Sequence, residues 1–495
     1  MTALLLTFSV SAQNISLTIG EKGDSKGSQP TMLHIDKADV EGHYYSVEPE
    51  LNAFSKVKGI SIREVDLDFT EIHSVSVPEA AGCFIYHVQR DGNRMHVLLT
   101  TNEKKRYALR YVCVDLTSFT IVTDRMLVDI AIGKKQYVLD WCSLSAAENY
   151  FGYVYAFVDE KGDRAEVHAM VFDRSMQLQW SHPIEVSALS QVLTTNDGRL
   201  ATIGAINGDG KKDGAAIEFS ISTASGSQRG HCTTTNKLGG LALLNVFGDK
   251  VLATALETDR GIGWAGTFNA GKVVTSGTVY IGYSSFLFDV ANDRLVNTDS
   301  HLFTKEDAQV FYNASLITEI LKPDVNFLAL RTKVATPNGG AVLYGRTWHE
   351  KVVNTGNGMA TETYYYNGMM LINVDSTGSI VWMRPIMHDN GNNADFAENT
   401  ETDMVVNGKD IILITNEANN ASETYDPREP VRRTTVMVHG AISAYRFAPD
   451  GQVTKSRLIT KGTNIITTPM RRQADGHYTF IIRRMKGFIA DLTIR

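Results

Sequence analysis

The sequence has little proline, little cysteine and almost no helical periodicity. Only 11 prolines and four cysteines are spread over 495 residues. The length would fit two or three domains or one large repeat array, but no segment has the Pro, Gly or Ser enrichment of a linker and no low-complexity tract occurs, which makes one closed architecture the simpler reading. Apolar residues do not recur at helical spacing, which excludes a helical bundle. Beyond the first dozen residues no apolar run is long enough to cross a bilayer as a helix. An excess of basic charge is also lacking. The net charge is −7, which argues against nucleic acid as a partner. The doublets Arg432-Arg433, Arg471-Arg472 and Arg483-Arg484 stand apart and read as solvated or ion-paired surface.

Common catalytic signatures are missing too. No His-Glu-x-x-His, Cys-x-x-Cys or Walker sequence occurs, so zinc, nucleotide and other cofactor sites lack support and no cofactor or metal is expected. Gly23-Asp24-Ser25-Lys26-Gly27 matches a nucleophile elbow but lies in a polar stretch without the strand and helix that strain the turn. Gly261-Ile262-Gly263-Trp264-Ala265-Gly266 matches a dinucleotide turn, yet turn and strand residues follow it where a helix N-terminus should meet the pyrophosphate. Asn207, Asp209, Lys211, Asp213 and Glu218 fit the spacing of a calcium loop. Lys211 puts a cation where a ligand oxygen belongs, and Lys212 replaces the required glycine, so a solvated hairpin is the better reading.

What is present is a repeat. Eight times a turn containing glycine is followed by an apolar strand, at Val40-Glu41-Gly42, Arg90-Asp91-Gly92, Tyr150-Phe151-Gly152, Asn196-Asp197-Gly198, Phe247-Gly248-Asp249, Asn338-Gly339-Gly340, Asn407-Gly408-Lys409 and Ala474-Asp475-Gly476. Such turns join β-hairpins. A second marker follows each of the first seven, at Asp66, Asp115, Asp173, Ser222, Asp289, Asp375 and Asp450. An Asp side chain can bond the backbone two residues on and nucleate a turn. In two units a Trp, Trp180 or Trp382, lies seven residues after the Asp, placed to open an outer strand and pack between units. The pattern predicts an all-β fold: a single β-propeller of four-stranded blades, eight by this count and seven as the alternative. Inner strand A joins B at the glycine turn, and C joins outer strand D at the Asp turn. The last strand, Gly487 to Arg495, has no outer partner left, and Asn14 to Gly20 is a strand with no inner partners. Pairing them closes the ring and removes exposed sheet edges.

Residues 1–12 read as a signal peptide with a truncated n-region, ending in Val10-Ser11-Ala12, and 13–495 as the propeller. Export follows, to the periplasm or outside the cell. The chain ends inside a blade with no appended sorting domain, which favours the periplasm. Cys83 and Cys113 fall on strands of one blade separated by a third, about 9.6 Å apart, too far for a disulfide. All four cysteines, with Cys142 and Cys232, are expected as buried free thiols.

Tyr364-Tyr365-Tyr366-Asn367, Asn373-Val374-Asp375, Gly378-Ser379-Ile380 and Trp382, then Val171-Phe172-Asp173 with Leu178-Gln179-Trp180, then Val65-Asp66-Leu67-Asp68, and the ending Ser11-Ala12-Gln13 form a set of similar segments. Together they resemble an uncharacterised family of exported β-propeller proteins from Bacteroidetes-type bacteria. The resemblance implies a propeller and export, and no activity or functional residue. Asp375-Ser376-Thr377-Gly378 with Trp382 also resembles a docking turn of eight-bladed quinone-dependent dehydrogenases, which implies similar blade packing and no quinone site.

Function is expected where the repeat breaks. The interval from Gly turn to Asp turn is 24, 23, 21 and 24 residues in the first four units and grows to 41, 35 and 42 in the next three. The extra residues fall between strands B and C, at about 258–280, 349–363 and 416–433. A long D–A connection before blade six holds a helical signal, Thr304 to Asp307 as a capping box before Val310, Phe311 and Ala314. B–C and D–A connections emerge on one face. The candidate binding residues there are Trp264, Trp348, His349, Tyr364, Tyr366 and Tyr425, aromatic groups suited to stacking on glycan or peptide. Their ordinary reading is that Tyr364 to Tyr366 begin strand C and the Trp residues cap the blade cores. The expected function is non-catalytic binding or scaffolding by a monomer, with an envelope protein or glycan as partner. The alternative is an enzyme acting on polysaccharide or peptide through Asp or Glu side chains at the channel mouth.

Overall fold

The computed structural model describes residues 15–494, apart from 20–33, 53–55, 104–105, 134–135, 160–163, 209–213, 259–279, 303–326, 337, 355–359, 394–401, 419–421, 427–433, 436–439, 460–464, 467–470, 473–476 and 484–486. Strand β1 (Ile15–Ile19) stands first. Blade one is β2 (His34–Lys37), β3 (His43–Leu51), β4 (Val57–Asp66) and β5 (Glu71–Val77). Blade two is β6 (Phe84–Asp91), β7 (Arg94–Glu103), β8 (Arg106–Asp115) and β9 (Thr120–Ala131). Blade three is β10 (Gln136–Leu144), β11 (Tyr150–Asp159), β12 (Arg164–Asp173) and β13 (Leu178–Ile184). Blade four is β14 (Gln191–Thr194), β15 (Leu200–Asn207), β16 (Ala215–Thr223) and β17 (Gly226–Thr233). Blade five is β18 (Lys237–Phe247), β19 (Lys250–Thr258), β20 (Tyr280–Asp289) and β21 (Arg294–Leu302). Blade six is β22 (Phe327–Ala335), β23 (Ala341–Asn354), β24 (Ala360–Val374) and β25 (Ile380–Asn393). Blade seven is β26 (Thr402–Asn407), β27 (Asp410–Ala418), β29 (Gly440–Phe447) and β30 (Val453–Ile459), with β28 (Thr434–Thr435) inside its B–C connection. Blade eight joins β31 (Ile465–Ile466), β32 (Arg471–Arg472), β33 (His477–Arg483) and β34 (Gly487–Ile494) to β1. No helix occurs among the described residues.

Eight antiparallel sheets therefore settle the blade count. Strand β1 pairs with β34 from Ile15↔Ile494 to Ile19↔Ala490, so the first and last strands share one blade as the pattern predicts. Blade eight touches β2 of blade one through β33 and β27 and β29 of blade seven through β31, the contact order of a closed ring. The core lies between blades, where one sheet's inward face meets the next. Val47, Ile60 and Ile62 of blade one, for example, pack in one cluster with Val97, Leu99 and Val112 of blade two.

Six of the predicted glycines, Gly42, Gly92, Gly198, Gly248, Gly339 and Gly408, adopt positive φ at the A–B turns. The third turn differs from the reading. Glu148 takes the left-handed conformation there, with φ 56°, and the Ser145 hydroxyl accepts the amides of Asn149 and Tyr150 at 3.0 Å. Gly152 sits inside β11 for another reason. A Cβ there would lie 2.2 Å from Thr194 Oγ1 and 2.6 Å from Leu200 Cδ1, so it lets blade four approach blade three. The eighth turn, around Gly476, lies outside the described residues.

The Asp turns form by the predicted mechanism. Asp66 Oδ1 accepts the amides of Asp68 and Thr70 at 2.9 and 2.8 Å. Asp375 Oδ1 accepts those of Thr377 and Ser379 at 2.8 and 3.0 Å. Just before this turn, five blades share a register shift: at Glu64/Val65, Cys113/Val114, Val171/Phe172, Leu287/Phe288 and Asn373/Val374. Each shift leaves one residue of the outer strand without an opposite number: Ile72, Val122, Gln179, Val296 and Val381. The four apolar ones account for exposed hydrophobic side chains, at 38 to 50% exposure. A bulge re-aims the residue beside it. In two blades that residue is Trp180 or Trp382, turned inward against the next blade. The Trp180 indole donates to the Gly198 carbonyl at 2.9 Å, and Trp382 stacks on Phe447 at 5.6 Å.

All four cysteines are free. Cys83 and Cys113 are buried as expected, but Cys142 is exposed and Cys232 half-buried. Cys142 lies on β10, the innermost strand of its blade, which has no strand of its own sheet on the axial side.

Candidate functional site

A four-stranded meander sends its A–B and C–D turns to one face and its B–C and D–A connections to the other. On the second face, the insertion around 349–363 is not a loop. It lengthens β23 and β24 to 14 and 15 residues, because Thr361-Glu362-Thr363-Tyr364-Tyr365-Tyr366 is rich in strand formers. Pairing sets Trp348 opposite Tyr366, His349 opposite Tyr365 and Glu350 opposite Tyr364. The hairpin thus brings four of the six candidate residues together. Tyr364 to Tyr366 belong to strand C, as their ordinary reading holds.

Tyr425 is held elsewhere. Its hydroxyl donates to the Pro385 carbonyl at 2.8 Å, and its ring meets Tyr445 edge-on at 6.1 Å. Burial pushes that hydroxyl up to about 12. Tyr425 therefore ties blade seven to blade six. The insertion at 416–433 begins later than its spacing indicates, because β27 continues through Ala418. Just past its end, β28 lies alongside β25 as a fifth, parallel strand of blade six. Trp264 and the helical signal at Thr304 to Asp307 lie outside the described residues, as do the elbow-like and dinucleotide-like glycine segments.

The same face carries three exposed apolar side chains that sequence reasoning missed. Phe84 opens β6 at 51% exposure, Tyr137 is second in β10 at 45%, and Ile206 is penultimate in β15 at 54%. They sit on the two inner strand positions of blades two, three and four. Only exact strand limits reveal them, since in the sequence they read as ordinary strand residues. Two buried carboxylates near this face, Glu257 and Glu417, are engaged in packing, while Glu166 and Glu185 of blade three are exposed and pair with His168 and Arg229. Buried Glu257 accepts hydrogen bonds from Ser284 and from Asn236, the latter at 2.5 Å. Buried Glu417 accepts from Ser443 at 2.6 Å and from Tyr445, and meets Lys455 Nζ at 2.9 Å.

At the opposite mouth a cavity of about 800 Å³ opens on the axis. Its apolar wall includes Leu144, Leu193, Leu244, Val246, Val334 and Val405, from the inner strands of blades three to seven. Asp197, Arg199, Asn245 and Asp403 supply polar groups at its edge. Burial pushes the Asp197 carboxyl up, but the Thr195 hydroxyl and the Arg199 guanidinium outweigh it and hold the group below its ordinary value. Arg199 Nε is 2.9 Å from Asp197 Oδ2. An anion so clamped shapes the rim and is no general acid. Deeper between blades two and three, Asp140 accepts from Tyr107 and, at 3.2 Å, from Tyr153. Burial raises both phenols above their usual range, so they remain donors. Among the described residues no group of three or more His, Cys, Asp or Glu side chains is placed to hold a metal ion, and no helix is long and apolar enough to cross a membrane.

No family model matches the chain, and no curated protein matches it in sequence. Among solved structures it is similar to the β-propeller domain of the trilobed protease from Pyrococcus furiosus, with 9% identity over 86% of this chain and 95% of that domain and a TM-score of 0.37. It is similar to the acylaminoacyl peptidase of Pyrococcus horikoshii at 10% identity, covering 82% of this chain but 50% of that one, with a TM-score of 0.35. The Dos1 propeller matches at 10% identity over 94% and 95% of the two chains, with a TM-score of 0.34. Likeness at this level carries no argument about this chain, whose architecture rests on its own eight sheets. The molecule is an eight-bladed β-propeller.

Proposed function

We propose that the protein is a non-catalytic binding or scaffold propeller, exported to the periplasm or secreted, that recognises a protein or glycan through its B–C and D–A face. The observation that carries this reading is the exposure of Phe84, Tyr137 and Ile206 on inner strands of one face. Large apolar groups on rigid strands offer contact area at little entropic cost. The lengthened β23–β24 hairpin, with Trp348, His349, Tyr364 and Tyr366, extends the surface into blade six. Export rests on the signal-like start of the sequence. The enzyme alternative needs a free pair of carboxylates at this mouth; of the described residues, Glu257 and Glu417 do not supply it, since both have hydrogen-bonded partners inside their blades.

The test is affinity capture from envelope extract, together with a glycan array. The intact chain is compared with a Phe84→Ser/Tyr137→Ser variant and a Trp348→Ala/Tyr366→Ala variant. Point substitutions are preferable to deleting 416–433, because Asn416 and Glu417 are buried in β27. The expected result is a partner or glycan held by the native chain and lost by at least one variant with unchanged thermal unfolding. Capture retained by both variants would sink the proposed face.

A further inference from the structure

The wall of the axial cavity spends its polar groups sideways. The Thr194 amide donates to Ser143 Oγ at 3.0 Å, and its hydroxyl donates to the Ser143 carbonyl at 2.8 Å, joining blade four to blade three. Asn196 Oδ1 accepts the Ala147 amide at 2.8 Å across the same boundary. Gln191 Oε1 accepts the Leu243 amide at 3.0 Å, joining blade four to blade five. The Asn245 carboxamide donates to the Gly339 carbonyl at 3.0 Å, joining blade five to blade six. Arg199, besides its pair with Asp197, donates to the Gly248 carbonyl at 2.7 Å. Beside these engaged polar groups the lining has an aliphatic part, Leu144, Leu193, Val246 and Val334, all half-buried rather than closed over.

We infer that this cavity is a second binding site, on the face opposite the proposed partner surface, for an uncharged small molecule with an apolar body. Its volume of about 800 Å³ falls in the range of small-ligand pockets, roughly 300 to 1,000 Å³. Water against the aliphatic part of the lining finds few hydrogen bonds, so the apolar body of a ligand gains by displacing it there. Among the described lining residues the cation is Arg199, and it is bonded to Asp197 and Gly248 rather than left for an anionic head. The wall is made of strands locked to their neighbours, so the cavity is preformed and little ordering opposes binding.

The test is a fluorescence titration of the full chain with the uncharged probe N-phenyl-1-naphthylamine. A single saturable site with blue-shifted emission is expected. Ala146→Trp and Ala335→Trp, at exposed positions of the wall, should each weaken the probe at least about tenfold, roughly 1.4 kcal/mol, with thermal unfolding unchanged. Phe84→Ser/Tyr137→Ser, on the other face, should leave probe affinity as it is. Absence of saturable binding overturns the inference. So does native affinity in both tryptophan variants, or loss of the probe in the Phe84/Tyr137 variant alone. Neither result bears on partner capture by the opposite face.

Discussion

Single residues set the turns on which the repeat depends. At the C–D turns an Asp carboxylate substitutes for absent backbone partners, and the left-handed position nearby falls on Phe69, Phe119, Met176 or Asp293 as well as on Gly378. A non-Gly residue pays about 1 to 2 kcal/mol to adopt that conformation. Phe69 and Met176 offset it by packing, at 9% and 0% exposure. Burial raises the Asp375 carboxyl, but the hydroxyl of Thr377 and the amides of Ser379, Thr377 and Gly378 lower it more, leaving it below its ordinary value. The folded state therefore binds this proton less readily than the unfolded chain. The stabilisation is complete above the unfolded value, about 3.9, and is lost as pH falls through the folded one. Asp375→Ala should cost about 1 kcal/mol at pH 7. In paired denaturant titrations the gap between the two proteins should close below about pH 4. A gap that persists at pH 2 would place the effect outside the carboxylate.

At the scale of elements, the recurrent bulge before the Asp turn is the device that docks one blade on the next. It lets a residue such as Val381 stand in water so that Trp382 can turn inward. Trp382 is 5% exposed, stacks on Phe447 and donates to the Pro449 carbonyl at 3.2 Å. Trp382→Ala should destabilise by about 3 to 5 kcal/mol, the range for a large buried side chain. Trp382→Phe keeps the ring stack and loses only the indole hydrogen bond, so its cost should be clearly smaller. Equal losses for the two in chemical unfolding would show that the hydrogen bond, not the stacking, joins blades six and seven. The lengthened hairpin of blade six belongs to the same scale. Added residues became strand because their side chains favour a pleated surface, and cross-strand pairing aligned aromatic positions that the sequence separates by up to 18 residues.

For the whole molecule, closure is decided by five residue pairs between β1 and β34. Ile15 and Leu17 of β1 pack on the cluster that holds Leu492 and Ile494. Without β1, the edge of β34 would expose unpaired amides and carbonyls, a template for association. Leu17→Pro takes away a backbone N–H and fits a paired strand poorly, so it should weaken the pairing with β34. It should lower the unfolding temperature and bring light scattering on heating that the native chain does not show. An unchanged transition would mean that the ring holds without its first strand. At this scale the two faces also separate in character: the B–C and D–A side bears exposed inner-strand apolar groups, and the other side bears the axial cavity.

The sequence by itself determined the blades. Glycine before an apolar run and Asp at the outer turn act through local backbone geometry, so they are legible residue by residue, as are the eightfold count and the pairing of first strand with last. Gly152 shows the limit of that reading: its neighbours looked like a turn, and only the approach of Thr194 and Leu200 explains it. Bulges escaped for the same reason, because a bulge is a relation between two strands rather than a property of either. The candidate face was legible only in part. Length marked the insertions in blades five to seven, but not that one of them is a hairpin, nor that Tyr425 is an inter-blade strut. Phe84, Tyr137, Ile206 and the wall of the axial cavity were set by the tertiary structure alone. Side-chain exposure and lateral hydrogen bonding depend on which blade lies next, and that is fixed only when the ring is closed.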